Sequence, residues 1–287
     1  NTAWPVIAYV EVISTASAGL QDMLTVTARS LIFPQFSTTV TNTTTANPVS
    51  GDRYVAVYDG DDTNNNCTQP AYPCASIVHA VNQAASGDTV KVAGGTYPGS
   101  ISLRDNIHII GGYNDGNWDA EPDPEVYRTV VDAEGTGRCL SINVPEGFAP
   151  EIRNLTLQGG STSGNGGALY VQNDSSPILE NLEILDSAAA SGGGLYLESG
   201  TLHISGLAIS GTTATGKGGG VYVADGWLWL GDAEITGATA GDAGGGFYVE
   251  SGSVVITGTH LAENRAVGGA GLYNAGGQTD LWNTFVY

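Results

Sequence analysis

Positive charge is scarce in this chain: nine Lys and Arg stand against 29 Asp and Glu over 287 residues, a formal net charge of −20. A phosphate backbone is held by clustered cations, and so is anionic lipid, so nucleic acid and membrane surfaces drop out as partners. An acidic surface keeps a chain soluble and can also recruit divalent cations. Long apolar runs are missing as well. No stretch of 18 apolar residues occurs, which leaves no candidate for a transmembrane helix and none for membrane insertion by that route. The opening NTAWPVIAYVEVIS lacks a basic start and carries Glu11 inside its apolar stretch, so it does not read as a signal peptide; a mature N-terminus left by cleavage fits it. Cysteine is limited to Cys67, Cys74 and Cys139. The first two bracket a Pro-containing loop, CTQPAYPC, where a local disulfide formed in an oxidising compartment is expected. Two thiols without a nearby His or further Cys cannot complete a zinc site, and Cys139 in GTGRCLSI reads as a buried core thiol.

Glycine, by contrast, is abundant, and it recurs with a period. GNGGALYV, SGGGLYLE, KGGGVYVA, AGGGFYVE and GGAGLYNA place Tyr170, Tyr196, Tyr222, Tyr248 and Tyr273 at spacings of 26, 26, 26 and 25 residues. Each of the first four is followed by an alternating stretch: ILENLEIL, TLHISGLAI, WLWLGDAEI or SVVITGTHL. Alternation at period 2 predicts strands, with Leu195 and Leu197 on one face and Tyr196 and Glu198 on the other. One such unit cannot bury its apolar face alone, but equivalent strands stacked at roughly 4.8 Å per coil build a continuous core. So much glycine and no persistent 3.6-residue stripe exclude a helical repeat, and the blades of a propeller need about 40 residues each. The expected fold is all-β: a single-stranded right-handed parallel β-helix, a solenoid of about 26-residue coils.

Three regions follow. Residues 1–50 form a β-rich extension, in which WPVIAYVEVIS and MLTVTARSLIF read as strands and STTVTNTTTANPVSG as a Thr/Asn-rich connection. Residues 51–87 form a cap, with the disulfide loop and then an amphipathic helix through Ile77, Val78, Val81 and Ala85 ending at Gly87. Residues 88–287 are the β-helix, interrupted by an acidic insert (114–126) expected to protrude.

The run YDGDDTNNNC…PCASIVHAVNQAASGDTVKVAGGTY, followed by the GGGLY repeats, resembles the pectate-lyase-like right-handed β-helix proteins of bacterial surfaces over about residues 53–287. The repeats also resemble those of polymorphic outer-membrane proteins, although the downstream aromatic-Asn motif is mostly missing. The resemblance implies a fold and a cell-surface or secreted location, and it leaves activity open, because such proteins include lyases, hydrolases, adhesins and structural proteins.

For chemistry, the early coils hold Lys91, Arg104, Arg128, Arg138 and Arg153 near the acidic insert, the one place where a Ca²⁺-dependent lyase for an acidic polysaccharide would find both charges. DGDDTNNN (59–66) alternates calcium-type ligands but lacks the closing bidentate Glu, so no resident cofactor is expected. The tyrosine column is either a strip for sugar binding or a ladder that merely covers its sheet. Sequons at Asn42, Asn66, Asn154 and Asn173 are candidate glycosylation sites. The first expectation for function is a non-enzymatic extracellular structural protein, a homopolymer joined head to tail. Trp282, Phe285 and Tyr287 would lie at one open end, and the doubly apolar strand holding Val6, Ile7, Val10 and Val12 would either cover it in a neighbouring copy or lie along the flank of its own coil stack. A polysaccharide lyase or a carbohydrate-binding adhesin is the alternative.

Overall fold

A computed structural model describes residues 21–29, 37–45 and 51–287, in two compact units divided between Ser50 and Gly51. In the first unit Gln21–Arg29 pairs antiparallel with Ser37–Thr45, from Gln21↔Thr45 to Arg29↔Ser37. The second partner corrects the expectation of a Thr/Asn-rich connection. Six Thr and one Val make up most of STTVTNTTT, and β-branched side chains favour a pleated strand whatever their polarity.

The second unit is a parallel β-solenoid. Its longest sheet runs from Asp52–Val55 through Thr89–Ala93, His108–Tyr113, Glu151–Gln158, Ile178–Leu185, Thr201–Ser210, Trp227–Thr236 and Ser253–Thr257 to Gln278–Trp282. A second sheet stacks the tyrosine strands from Ile101–Leu103 to Leu272–Asn274, and a third stacks Ala188–Ala189, Thr213–Ala214 and Thr239–Ala240. Register fixes the coil length, since Tyr170, Tyr196, Tyr222 and Tyr248 pair in succession. The stack begins earlier than the sequence suggested: Asp52–Val55, inside the segment assigned to the cap, already pairs in parallel with Thr89–Ala93.

Alternation along each strand sends one apolar row inward. Ile152, Leu179, Ile204, Leu230 and Ile256 form one such column, and Leu157, Ile184, Ile209, Ile235 and Leu261 another; all are at most 1% exposed. Facing them from the tyrosine sheet are Leu169, Leu195, Val221 and Phe247, so the core is one continuous cluster along the coils. At about 0.8 kcal/mol per buried methylene this column packing is the main favourable term.

The corners explain the glycine period. In the coil beginning at Lys217, Gly218 has φ +64°, the left-handed conformation that a Cβ disfavours. Its neighbour Gly219 is needed for closeness instead: a Cβ there would lie 2.4 Å from the carbonyl oxygen of Gly245 in the next coil. A further corner needs no glycine. Midway along the long strands the chain bends through a left-handed residue, Asn154, Asn181, Gly206 and then Asp232, with φ between 51° and 69°. Asn and Asp tolerate that region because their short polar side chains bond locally, and the Asn181 amide donates to Asn154 Oδ1 at 2.9 Å.

The helix Ile77–Gln83 closes the first coil, as expected, burying Ile77, Ala80 and Val81 in the main core. Ser76 caps it, accepting from His79 N–H, while Asp62 accepts from the Ser76 hydroxyl at 2.7 Å. It stops before Gly87: Ala84 is already extended, and Ala85 is exposed with its N–H donating to Asp88. The buried Asp88 is the reason, since it also pairs with Arg53 at 2.6 Å and accepts from Gly51 N–H. The acidic insert is not a free protrusion. Trp118 returns to the sheet, 7% exposed, edge-on to Tyr54 at 5.2 Å and beside Tyr113.

Gly219→Ala should therefore destabilise the solenoid by about 1–3 kcal/mol in urea unfolding, the usual range for forced overpacking. Gly237→Asn, at φ +62° with open space around its Cβ position, should change stability by only a few tenths of a kcal/mol. Equal losses from the two substitutions would refute this account of the corners.

Candidate functional site

The tyrosine column is the most regular surface feature. Tyr170, Tyr196, Tyr222, Tyr248 and Tyr273 stack with ring centroids 5.5, 4.8, 4.9 and 5.4 Å apart. They face outward as the alternation requires, yet Tyr196, Tyr222 and Tyr248 are under 10% exposed, because each ring covers the next. Arg138 sits 4.7 Å over Tyr170, and Lys217 lies at the same distance over Tyr248. The Tyr222 hydroxyl donates to Glu250 at 2.5 Å. Ring faces used in this way are not open to a sugar, so the column is a ladder that covers its sheet. Burial, followed by the hydrogen bond to Glu198, pushes the Tyr170 phenol up to about 12; burial and then Glu250 raise Tyr222 as well.

The early-coil cations, read from sequence as the lyase-like region, are mostly committed. Lys91 pairs with Asp52 at 2.8 Å and lies against the rings of Tyr54 and Tyr113. Its burial works against the ammonium, but the hydrogen bond and charge of Asp52 prevail and raise its pKa. Arg128 pairs with Glu183 and donates to Thr156, Arg153 lies between Glu151 and Glu180, and Arg138 donates to the Asn165 carbonyl. Arg104 is exposed on the surface.

A groove of about 610 Å³ runs beside the left-handed corner, lined by Glu125, Arg128, Asn154, Asn181, Glu183, Asp232 and Glu234 among others. Before the corner, on the same strands, lies a shallower trough of about 330 Å³ holding Ile178, Glu180, His203, Ser205 and Trp229. The sequence reading passed over Trp227 and Trp229. The signal was available: with Leu228 and Leu230 inward, period 2 must send both indoles outward.

In the cap, Cys67 and Cys74 form the expected disulfide and Cys139 is a buried free thiol, raised to about 12 by burial. His79 corrects the view that no histidine is near: its ring nitrogen and the two sulfurs lie within 4.8 Å of one another. Both sulfurs are bonded to each other, however, and His79 Nε2 contacts the Asn65 carbonyl oxygen at 2.7 Å. The calcium-like loop turns its polar groups on its own backbone. Asp62 accepts from Ala75 and Ser76 N–H, and the Asn65 amide donates to the carbonyls of Asp61, Tyr72 and Pro73. Of the sequons, Asn66 and Asn173 are exposed, Asn154 is tied into the corner ladder, and Asn42 lies in the strand Ser37–Thr45.

At the last coil Trp282, Phe285 and Tyr287 are 66%, 51% and 75% exposed, with Leu281 and Val286 exposed beside them. Val6, Ile7, Val10 and Val12 lie outside the described residues. These features define the class of protein, a disulfide-capped parallel β-solenoid. Comparison with protein-family models, curated proteins and solved structures returned no match.

The ladder makes a pH prediction. The raised folded-state value stabilises the protonated phenol, so Tyr170 contributes fully below its ordinary value of 10.0, and the contribution is lost as pH rises through about 12. The part of the tyrosinate absorbance that Tyr170, Tyr196 and Tyr222 contribute, read from Tyr→Phe variants, should therefore appear above the ordinary phenol range. A single step near pH 10 in protein still folded by circular dichroism would contradict the burial of the ladder. The disulfide closes a short loop, so the Cys67→Ala/Cys74→Ala pair should lose about 2–3 kcal/mol of stability in urea.

Proposed function

We propose that this chain is an extracellular, non-enzymatic structural protein that assembles head to tail into a filament, the N-terminal strand of one copy covering the last coil of another. The observation that carries this reading is the edge formed by Gln278–Trp282 and Phe285–Val286. There five large apolar side chains, Leu281, Trp282, Phe285, Val286 and Tyr287, are 45–75% exposed beside unpaired strand groups. Such an edge calls for a covering strand, and an added strand supplies both the hydrogen bonds and the apolar contact. The doubly apolar WPVIAYVEVIS segment has the composition of a strand buried on both faces. A contact between two different surfaces that does not close on itself propagates as a filament.

The disulfide supports an oxidising, extracellular location. The resemblance to pectate-lyase-like surface β-helices, carried by the cap and the GGGLY repeats, supports the same placement. The committed early-coil cations weigh against the lyase alternative, because a lyase needs a free cation or bound Ca²⁺ facing the uronate.

Assembly is tested on three forms of the chain at high concentration by sedimentation and electron microscopy: residues 1–287, the chain lacking residues 1–20, and Trp282→Lys/Phe285→Lys. The parent chain should form filaments, while both altered forms should stay monomeric and melt cooperatively. Assembly that survives loss of residues 1–20 would mean that some other strand covers the edge, and the donor-strand proposal fails.

A further inference from the structure

The outer face of the long sheet carries an aromatic patch at Trp227–Thr236. Trp227–Thr236 turns two indoles outward, and the exposed His203 of the preceding coil packs on both, at 4.9 Å from Trp227 and 6.3 Å from Trp229. Gly231 sets the posture of Trp229: a Cβ at 231 would meet the far end of the indole at 2.6 Å, so glycine lets the ring lie along the strand. Ile178, 41% exposed, extends the patch in the same column as His203 and Trp229. The trough at Ile178, His203 and Trp229, with Trp227 packed on His203 beside it, has Glu180 and Ser205 on its margin, and the next residues, Asn181 and Gly206, line the groove beyond the corner. Trough and groove thus adjoin at the corner through consecutive residues, and together they offer a path across several coils.

The chemistry of the path selects its occupant. Its apolar part is aromatic, with His203 exposed and both indoles half-buried, and suits the C–H faces of pyranose rings; its polar part is carboxylate, amide and hydroxyl, suited to sugar hydroxyls. Among the described residues Arg128 is the one cation lining the groove, and it is paired with Glu183. An anionic polymer such as a polyuronate meets Glu125, Glu183, Asp232 and Glu234 there and is repelled. A second copy of this chain, itself at −20, is repelled from the same face. We propose that this path is a docking site for a neutral, extended polysaccharide lying across the coils, with Trp227, Trp229 and His203 as its stacking floor. The proposal is independent of head-to-tail assembly.

Native gels of the full chain, cast with a β-glucan, an arabinoxylan or a galactomannan, give the test, with polygalacturonate and no polymer in parallel. At least one neutral polymer should retard the protein and polygalacturonate should not. Trp227→Ala and Trp229→Ala should each weaken the retarding interaction about tenfold or more, as loss of an aromatic anchor does. Trp229→Phe should keep most of it, and Tyr58→Ala, remote in the cap loop, all of it. Gly231→Val, which removes no aromatic ring but lifts Trp229, should weaken binding as the Trp229 deletion does. That variant and Trp227→Ala keep the test decisive where Trp229→Ala lowers the melting temperature. The proposal is overturned if no neutral polymer retards the chain, if the indole variants bind as the parent does, or if polygalacturonate or added polylysine binds more tightly.

Discussion

Coil-on-coil pairing of the backbone is the constraint from which the rest of this structure follows. Each strand of the solenoid finds its hydrogen-bond partners in the coils before and after it, so the coils must stay in register. Register turns single residues into columns. An apolar residue at one position becomes a continuous core, a tyrosine becomes a stacked ladder, and a left-handed corner residue becomes a line of bends. Stability in such a stack is close to a sum of repeat and neighbour terms, so a side chain that disturbs one coil disturbs two interfaces. This is why Gly219 is held by the next coil rather than by its own.

Columns also decide where function can reside. A side chain repeated in every coil is covered by its own copies, as the tyrosines show: their rings face outward and are nevertheless buried. The surface left for a partner lies where the repeat breaks. One break is the edge at the last coil, where no ring or strand lies over Trp282 and Phe285 among the described residues. Another is the long-sheet face, where the column through Trp229 runs Ile178, His203, Trp229, Val255, Asp280 with no type repeated.

The columns were legible in the sequence because they depend on local alternation and a fixed period. The tyrosine positions, the inward Leu195 and Leu197, the capping helix and the Cys67–Cys74 bond were all readable from spacing and composition. What escaped was set by contacts between distant residues or by unusual residues in a familiar role. The corner at Asn154, Asn181, Gly206 and Asp232 falls inside an alternating strand and takes glycine in only one of those coils, so the glycine pattern does not announce it. Trp118 looked like part of a solvated acidic loop, because its partners Tyr54 and Tyr113 come from other strands. His79 meets the disulfide only through the path of the cap, and polar Thr-rich text concealed a strand.

Charge then separates the directions in which this solenoid can make contacts. Among its cations, Arg53, Lys91, Arg128 and Arg153 are spent on carboxylates of the same chain, and Arg138 and Lys217 lie over the ladder tyrosines. The flanks are left with an excess of carboxylates, so two solenoids approaching side by side repel over a range set by the Debye length, about 8 Å at physiological salt. The edge at the last coil is different. Its exposed side chains are apolar, and neither they nor the unpaired backbone groups beside them carry a net charge for salt to screen. High salt should thus affect the two surfaces unequally, relaxing repulsion at the flanks and leaving apolar contact at the edge unweakened.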